Sequence, residues 1–358
     1  DLIAFGTKTV EGCFEYTGGL PEFLSGTERE YLRVLHRNTA PAATWRDSVG
    51  AATTQLKGIL TRPENAINPD ELSWGLPQLD RLFQPMMRGE FIVLAARPSI
   101  GKSSLARMIA LSAARSGVEV QFHSLEVTAA QVAANMANGI SGVSRTRLRR
   151  GPTTDEIKAY NEALKFLSTM DAMHVDDQAD PTSLMVLSKA RALSARRPLG
   201  LVIIDHLGLM ADWQSRRYQN LSEVGSEITK AIKQAARNLN AVFLVLAQLN
   251  RLSVKESNRR PRKEDLRDCG GIEQNADRVI LLHHPDANPL AQGRAQPETE
   301  PLEKMPHFYI EVMQDKGRDV GTSRVGMMFQ RECARFREIA ADVPEPTATI
   351  NPDTDLPL

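Results

Sequence analysis

Glu90-Phe91-Ile92-Val93-Leu94-Ala95-Ala96-Arg97-Pro98-Ser99-Ile100-Gly101-Lys102-Ser103-Ser104 is the stretch that decides how this chain is read. An apolar run breaks on a tight turn, and Gly-Lys-Ser then opens a helix. Such a turn aims backbone N–H groups at phosphate oxygens, and the helix N-terminus adds partial positive charge. Lys102 has the reach for β- and γ-phosphates, and the Ser103 hydroxyl is placed to ligate Mg²⁺. Arg97, Ser99, Gly101, Lys102, Ser103 and Ser104 are therefore the candidate nucleotide-binding residues. The strict pattern begins with Gly, where this chain carries Ala96.

Outward from this stretch, short β-rich runs alternate with helical patterns. The runs are Phe91–Ala95, Val118–Ser124, Met173–Asp176, Leu201–Asp205 and Ala241–Ala247. Thr128 with Gln131 and Thr153 with Glu156 are capping-box pairs. Asp180-Pro181 reads as a cap followed by Pro at the first helical position. Leu221, Val224, Ile228, Ile232, Ala235 and Leu239 share one face of a long helix. Alternation of this kind predicts a mostly parallel twisted sheet with helices on both faces, its ligand at the carboxyl ends of the strands. Four more strands, Arg278–Leu282, His307–Gln314, Val325–Phe329 and Arg335–Ile339, follow without helices between them and extend the sheet on one side. Residues 1–66 read as a short extension or linker with one helix, Thr44–Leu60, and too little apolar material for a core of its own. Residues 67–340 form the main domain, within which 285–306 read as loop, and 341–358 read as a disordered tail.

Composition narrows the class. The 358 residues are 42% hydrophobic, enough for one large α/β domain with added segments. Lys+Arg and Asp+Glu both number 44, so contact with a polyanion must come from local clusters. Cys13, Cys269 and Cys333 form no Cys-x-x-Cys pair and read as reduced thiols of a cytoplasmic protein. No apolar run approaches the ~18 residues of a membrane span, and no signal peptide is visible. A start at Asp1 rather than Met fits a trimmed or incomplete N-terminus. His283-His284 lacks the spacing of a metal site, and the remaining histidines read as isolated.

Two acids have the positions that triphosphate hydrolysis needs. Asp205 ends the apolar strand Leu201–Asp205, at the sheet edge expected to carry the phosphate loop. It can hold the metal through water, although Asp also serves there as a plain turn residue. Glu126 follows the strand Val118–Ser124. It is the candidate water-activating base, or else a complement to the next helix's dipole. Gln248 ends a third strand, where an amide can sense the γ-phosphate or simply cap the loop. Seven basic residues, among them Arg251 and Arg267, crowd the segment that follows. A cationic loop tied to a triphosphate site can grip a nucleic-acid backbone. Arg216 and Arg217 form a second such candidate. Arg145, Arg147, Arg149 and Arg150 crowd a turn ending at Gly151 and read as a surface or subunit-contact face.

Taken in order, these segments resemble the ATPase domain of the DnaB family of replicative helicases, which are RecA-like P-loop motors. The resemblance spans about residues 68–340. It rests on Ser73-Trp74-Gly75-Leu76-Pro77-Gln78-Leu79-Asp80, the phosphate loop, Ser124-Leu125-Glu126, Ile204-Asp205-His206-Leu207-Gly208-Leu209-Met210, Gln248-Leu249-Asn250-Arg251 and the stretch Asp265–Asp277. It implies ATP and Mg²⁺, with Lys102 on phosphate, Ser103 and Asp205 on the metal, Glu126 as base and Gln248 as sensor. It further implies that the loop around Arg267, Asp268 and Gly270 contacts single-stranded DNA. Family members are ring hexamers in which a neighbour supplies a Lys-x-Arg finger. Lys316 and Arg318 keep that spacing, with Arg318 the preferred finger and Lys316 the other candidate. A helicase loader is an implied partner. The family usually carries a longer N-terminal domain that meets primase; about 66 residues precede the motor in this sequence, which leaves a primase contact of the usual kind open, and one helix among them fits a linker between subunits. The expected activity is ATP-driven translocation on single-stranded DNA with duplex unwinding. The rivals are a RecA-like recombination ATPase forming filaments and a nucleotide-gated DNA-binding scaffold. On this reading Lys102→Ala loses nucleotide binding, as a titration with a fluorescent ATP analogue would register.

Overall fold

The run Phe91–Ala96 forms a strand buried along its whole length, as a sheet covered on both faces requires. The computed structural model describes residues 2–15, 19–36, 44–60, 68, 70–212, 221–249, 260–269, 271–285, 307–317 and 321–339. They fall into two units, Asp1–Ile67 and Asn68–Leu358.

In the first unit the described residues form α1 (Leu2–Glu15), α2 (Leu20–His36) and α3 (Trp45–Leu60). The sequence predicts only α3. The other two are masked in it by helix-weakening residues, Gly6, Thr7, Thr9, Val10 and Gly12 in α1 and Gly26 in α2. Packing overrides that propensity. A Cβ on Gly12 would lie 3.2 Å from the Phe23 ring, and Lys8 Nζ is 3.7 Å from Glu30 Oε1. Thr44 caps α3, its Oγ1 accepting from Asp47 N at 3.2 Å.

The second unit begins with β1 (Glu71–Leu72), α4 (Pro77–Phe83) and β2 (Met86–Met87), β1 and β2 pairing antiparallel. Then come β3 (Phe91–Ala96), α5 (Lys102–Arg115), β4 (Glu119–Ser124), α6 (Ala129–Ser141), α7 (Arg145–Arg150), α8 (Thr154–Ser168) and β5 (Met173–Asp176). They are followed by α9 (Ser183–Ser194), β6 (Leu199–Asp205), α10 (Leu221–Leu239), β7 (Val242–Gln248) and α11 (Ile272–Asn275). The chain closes with β8 (Arg278–His283), β9 (His307–Lys316), β10 (Ser323–Gln330) and β11 (Arg335–Glu338). Among the described residues the main sheet runs β11-β10-β9-β8-β3-β7-β6-β4-β5. The strands from β8 to β5 are mutually parallel, and β9, β10 and β11 add antiparallel on the β8 side.

Alternation along β3 feeds two cores. Ile92 and Leu94 pack with Phe122, Ile203 and Leu244 under Leu105 and Ile109 of α5. Phe91 and Val93 pack with Val202, Ile204 and Phe243 under Val224, Ile228 and Ile232 of α10. Polar clamps fix the strand entries. Asp277 Oδ2 accepts from Phe91 N at 2.8 Å and pairs with Lys233. Arg278 donates to Glu90, Phe83 O, Gln84 O and Pro85 O, tying the segment after α4 to β8. Asp80 accepts from Trp74 N at 2.8 Å and Ser73 Oγ at 2.6 Å, so the Ser73–Asp80 motif closes on itself.

Thr128 and Thr153 form the capping boxes of α6 and α8. Three sequence readings need correction. α9 is capped by Thr182, whose Oγ1 accepts from Met185 N at 3.2 Å, and not by Asp180-Pro181. Asp180 sits at φ 49°, a left-handed geometry that a cap residue does not use. Arg145–Arg150 is a short helix capped by Ser144 rather than a turn. Nor are the histidines isolated, because parallel pairing of β4 and β5 brings charges beside them. His123 Nδ1 lies 3.2 Å from Asp176 Oδ2, and His174 Nε2 lies 2.8 Å from Glu119 Oε2. The His123 hydrogen bond, helped by Lys189, holds the Asp176 carboxyl well below its usual range.

The predicted tail 341–358, the predicted loop 285–306 beyond its first residue and most of the boundary Pro63–Pro69 lie outside the described residues.

Gly271 caps α11 at φ 74°, and a Cβ there would come 2.6 Å from Ser226 Cα of α10. Strain and overlap together make Gly271→Ala cost about 3 kcal/mol, measurable by urea unfolding. His283 gives a pH dependence. Burial is the main cause of its pKa falling to about 4, with Arg260, His284 and Arg97 pushing the same way and Glu311 opposing. Between about pH 6.5 and pH 4 the unfolded chain thus binds more protons than the folded one. Urea midpoints should fall as pH drops through that window, and fall less in His283→Gln.

Candidate nucleotide-binding site

β3 ends at Ala96, which pairs in register with Gln248 of β7 and Leu282 of β8. Ala96 is buried extended backbone, so nothing there requires the glycine of the strict motif. The chain then turns through Ser99 at φ 67° and Gly101 at φ 99°. That geometry brings it directly into α5 at Lys102. No side chain caps α5, which leaves its first N–H groups to a ligand. Gly101 also lies under the rings of Phe329 and Phe336, where a Cβ would approach to 3.0 Å.

Three neighbouring strand ends bring polar groups to this turn. Ser124 at the end of β4 stands opposite Asp205 at the end of β6. Asp205 is 3% exposed, and its Oδ1 accepts from Ser103 Oγ at 3.0 Å. Leu125 N donates to Asp205 O at 2.8 Å, which draws the Glu126 turn toward β6. Ser124 Oγ donates to Val127 O at 2.5 Å, closing that turn. Glu126 itself is exposed, and Gln248 is exposed at the end of β7. Leu249 N donates to Ala96 O at 3.1 Å, setting Gln248 beside the phosphate loop.

The result is a cleft of about 430 Å³. Arg97, Ser99, Gly101, Lys102, Ser103 and Ser104 line it together with Glu126 and Gln248. Buried Arg107 lies behind, donating to Ser104 Oγ at 3.1 Å. Burial lowers its guanidinium pKa, and the nearby Asp205 and Glu126 carboxylates counter that effect. A hydroxyl and a carboxylate 3.0 Å apart, beside a second carboxylate, form an oxygen-rich donor set that suits a hard cation such as Mg²⁺.

Sequence reasoning missed four lining residues. Phe329, Arg331 and Ala334 come from the β10–β11 hairpin, which folds back from far along the chain and carries no motif. His206 follows Asp205 directly, a position that could have flagged it. Burial first, and then the Lys102 ammonium, push its imidazole below the usual range, against the pull of Asp205 and Glu126.

Other candidates lie elsewhere. Lys316 ends β9, and its Nζ donates to Glu273 O at 2.6 Å and Ala276 O at 2.7 Å, carbonyls of the α11 region. Arg267 and Asp268 fall on the 3₁₀-helix Lys263–Cys269, and the placement of their side chains is not described. Arg216, Arg217, Arg251, Gly270 and Arg318 lie outside the described residues.

The sequence profile of the DnaB-like helicase C terminal domain matches residues 72–338. The replicative DNA helicase DnaB of Leifsonia xyli subsp. xyli (strain CTCB07) is 26% identical over 340 residues, 95% of this chain and 71% of that protein. The replicative DNA helicase DnaB of Geobacillus stearothermophilus is 32% identical over 295 residues, 80% of this chain and 62% of that protein. Among solved structures, one described as an ATPase domain superposes with a TM-score of 0.70 at 24% identity, covering 81% of this chain and 98% of the other. A DnaB-like replicative helicase, described with its interactions with primase, gives 0.72 at 22% identity over 94% of this chain and 75% of the other. Both structures share the RecA-like α/β sheet. Because the profile runs from β1 through the phosphate loop to the hairpin that lines the cleft, the chain belongs to the DnaB-like helicase C terminal domain family.

Proposed function

We propose that this chain is the motor of a ring-forming replicative DNA helicase that hydrolyses ATP with Mg²⁺, moves along single-stranded DNA and unwinds duplex ahead of it. The observation that carries this reading is the Ser103–Asp205 hydrogen bond beside Glu126 at the mouth of the phosphate loop, in a chain of this family. Family membership favours the helicase over a filament-forming recombination ATPase.

In this reading Lys102 and the first turn of α5 bind the β- and γ-phosphates. Ser103 and Asp205 hold Mg²⁺, which when bound neutralises charge on the phosphate oxygens. Glu126 takes a proton from the attacking water, and Gln248 touches the γ-phosphate. Arg318 is the finger offered to the neighbouring subunit, since the Lys316 ammonium is engaged on its own chain's carbonyls. The segment from Arg251 through Arg267, Asp268 and Gly270, with Arg216 and Arg217, grips DNA phosphates. Contacts of that kind carry little sequence preference and weaken steeply with salt.

The partners are further copies of the chain, in a hexamer, and a helicase loader. The similar structure described with its interactions with primase supports a primase among them. Among the described residues no helix is long and apolar enough to cross a membrane, and a cytoplasmic place fits a replication motor.

Glu126→Gln should bind a fluorescent ATP analogue as the parent does, yet lose at least ~100-fold in turnover on single-stranded DNA. It should also fail to unwind a forked duplex. Parental turnover by this variant would remove Glu126 as the base.

A further inference from the structure

His206 and Arg331 are polar residues of the cleft to which the motifs assign no task, and His206 is the one beside both carboxylates. Its Nδ1 is buried and makes no hydrogen bond among the described residues, and such an atom calls for a partner. One edge of the ring lies against Gly208, where an added Cβ would stand 3.5 Å from Cδ2 and 3.6 Å from Nε2.

A ring nitrogen of His206, a carboxylate oxygen of Glu126 and one of Asp205 all lie within 4.8 Å of one another. Three such points are close enough together for one oxygen atom to hydrogen-bond with all of them. Asp205 already faces the phosphate loop through Ser103, which leaves Glu126 and His206 as the open pair.

We infer that His206 is a further catalytic residue that, together with Glu126, holds the water that attacks the γ-phosphate. The inference rests on the ATP-hydrolysis reading above. The water oxygen forms a bond to the γ-phosphorus while the bond from that phosphorus to the β–γ bridging oxygen breaks, and ADP leaves with the electron pair. One water proton passes to the Glu126 carboxylate. The second O–H is accepted as a hydrogen bond by the His206 ring nitrogen and stays on the phosphate that forms. Two acceptors on the two hydrogens leave a lone pair aimed at phosphorus, whereas one acceptor lets the water pivot.

The test compares His206→Phe and His206→Gln with the parent on single-stranded DNA. It reads kcat, KM for ATP, the affinity for a fluorescent non-hydrolysable ATP analogue, and the Mg²⁺ concentration at half-maximal rate. For His206→Phe, kcat should fall about 100-fold while the other three stay within about twofold, and His206→Gln, whose amide oxygen can accept, should recover about tenfold. Should His206→Phe melt early, His206→Ala is read in its place. Turnover by the Phe or Ala variant within about threefold of the parent would overturn the inference. So would a loss carried by analogue affinity or by a shifted Mg²⁺ requirement. A parent that does not hydrolyse ATP would instead overturn the hydrolysis reading itself.

Discussion

In-register parallel pairing at one edge of the sheet is the constraint on which the site rests. Ala96 stands opposite Gln248, and Ser124 stands opposite Asp205. The phosphate loop, the buried carboxylate, the exposed carboxylate and the amide therefore emerge at one level. A slip of one residue in β6 would turn Asp205 to the other face and send Val202 and Ile204 into the wrong core. Burial on both faces makes such a slip costly. The register is thus secured by apolar side chains that never touch the cleft.

The two acids of the site live in different surroundings. Asp205 is buried, and the cost of withdrawing its charge from water is offset by the Ser103 hydroxyl and by the guanidinium of Arg107 nearby. Glu126 stands in the open on a turn closed by Ser124 and tethered to the β6 strand through Leu125. Two carboxylates set in such different environments are suited to different tasks, one held rigid and one accessible to solvent.

Strand ends were legible in the sequence because apolar runs that stop on Gly, Asp or Gln are local signals. The long face of α10 was legible for the same reason. α1 and α2 were not, since their stability comes from packing on each other against weak propensity. The Phe329–Ala334 side of the cleft was illegible because it is set by tertiary return of the β10–β11 hairpin, and ordinary strand residues announce no ligand. Pro181 misled because proline after aspartate is a generic start signal, while the φ of Asp180 and the nearby Thr182 decide the cap. His206 was legible only as the residue after Asp205 in the Ile204–Met210 segment, where nothing in its identity announces a role.

β10 runs eight residues, about 27 Å at the usual strand rise, from Ser323 to Gln330. Phe329 at one end lines the cleft, and Ser323 at the other pairs with Gln314, two residues before Lys316. β9 pairs with it along its whole length and β11 over Met327–Gln330, so its cleft end is held on both sides. The wall of the cleft and the Lys316 end of β9 are thus joined by one continuous strand pair. Substitutions in the middle of this strand, remote from the cleft, are therefore joined to its wall through Phe329.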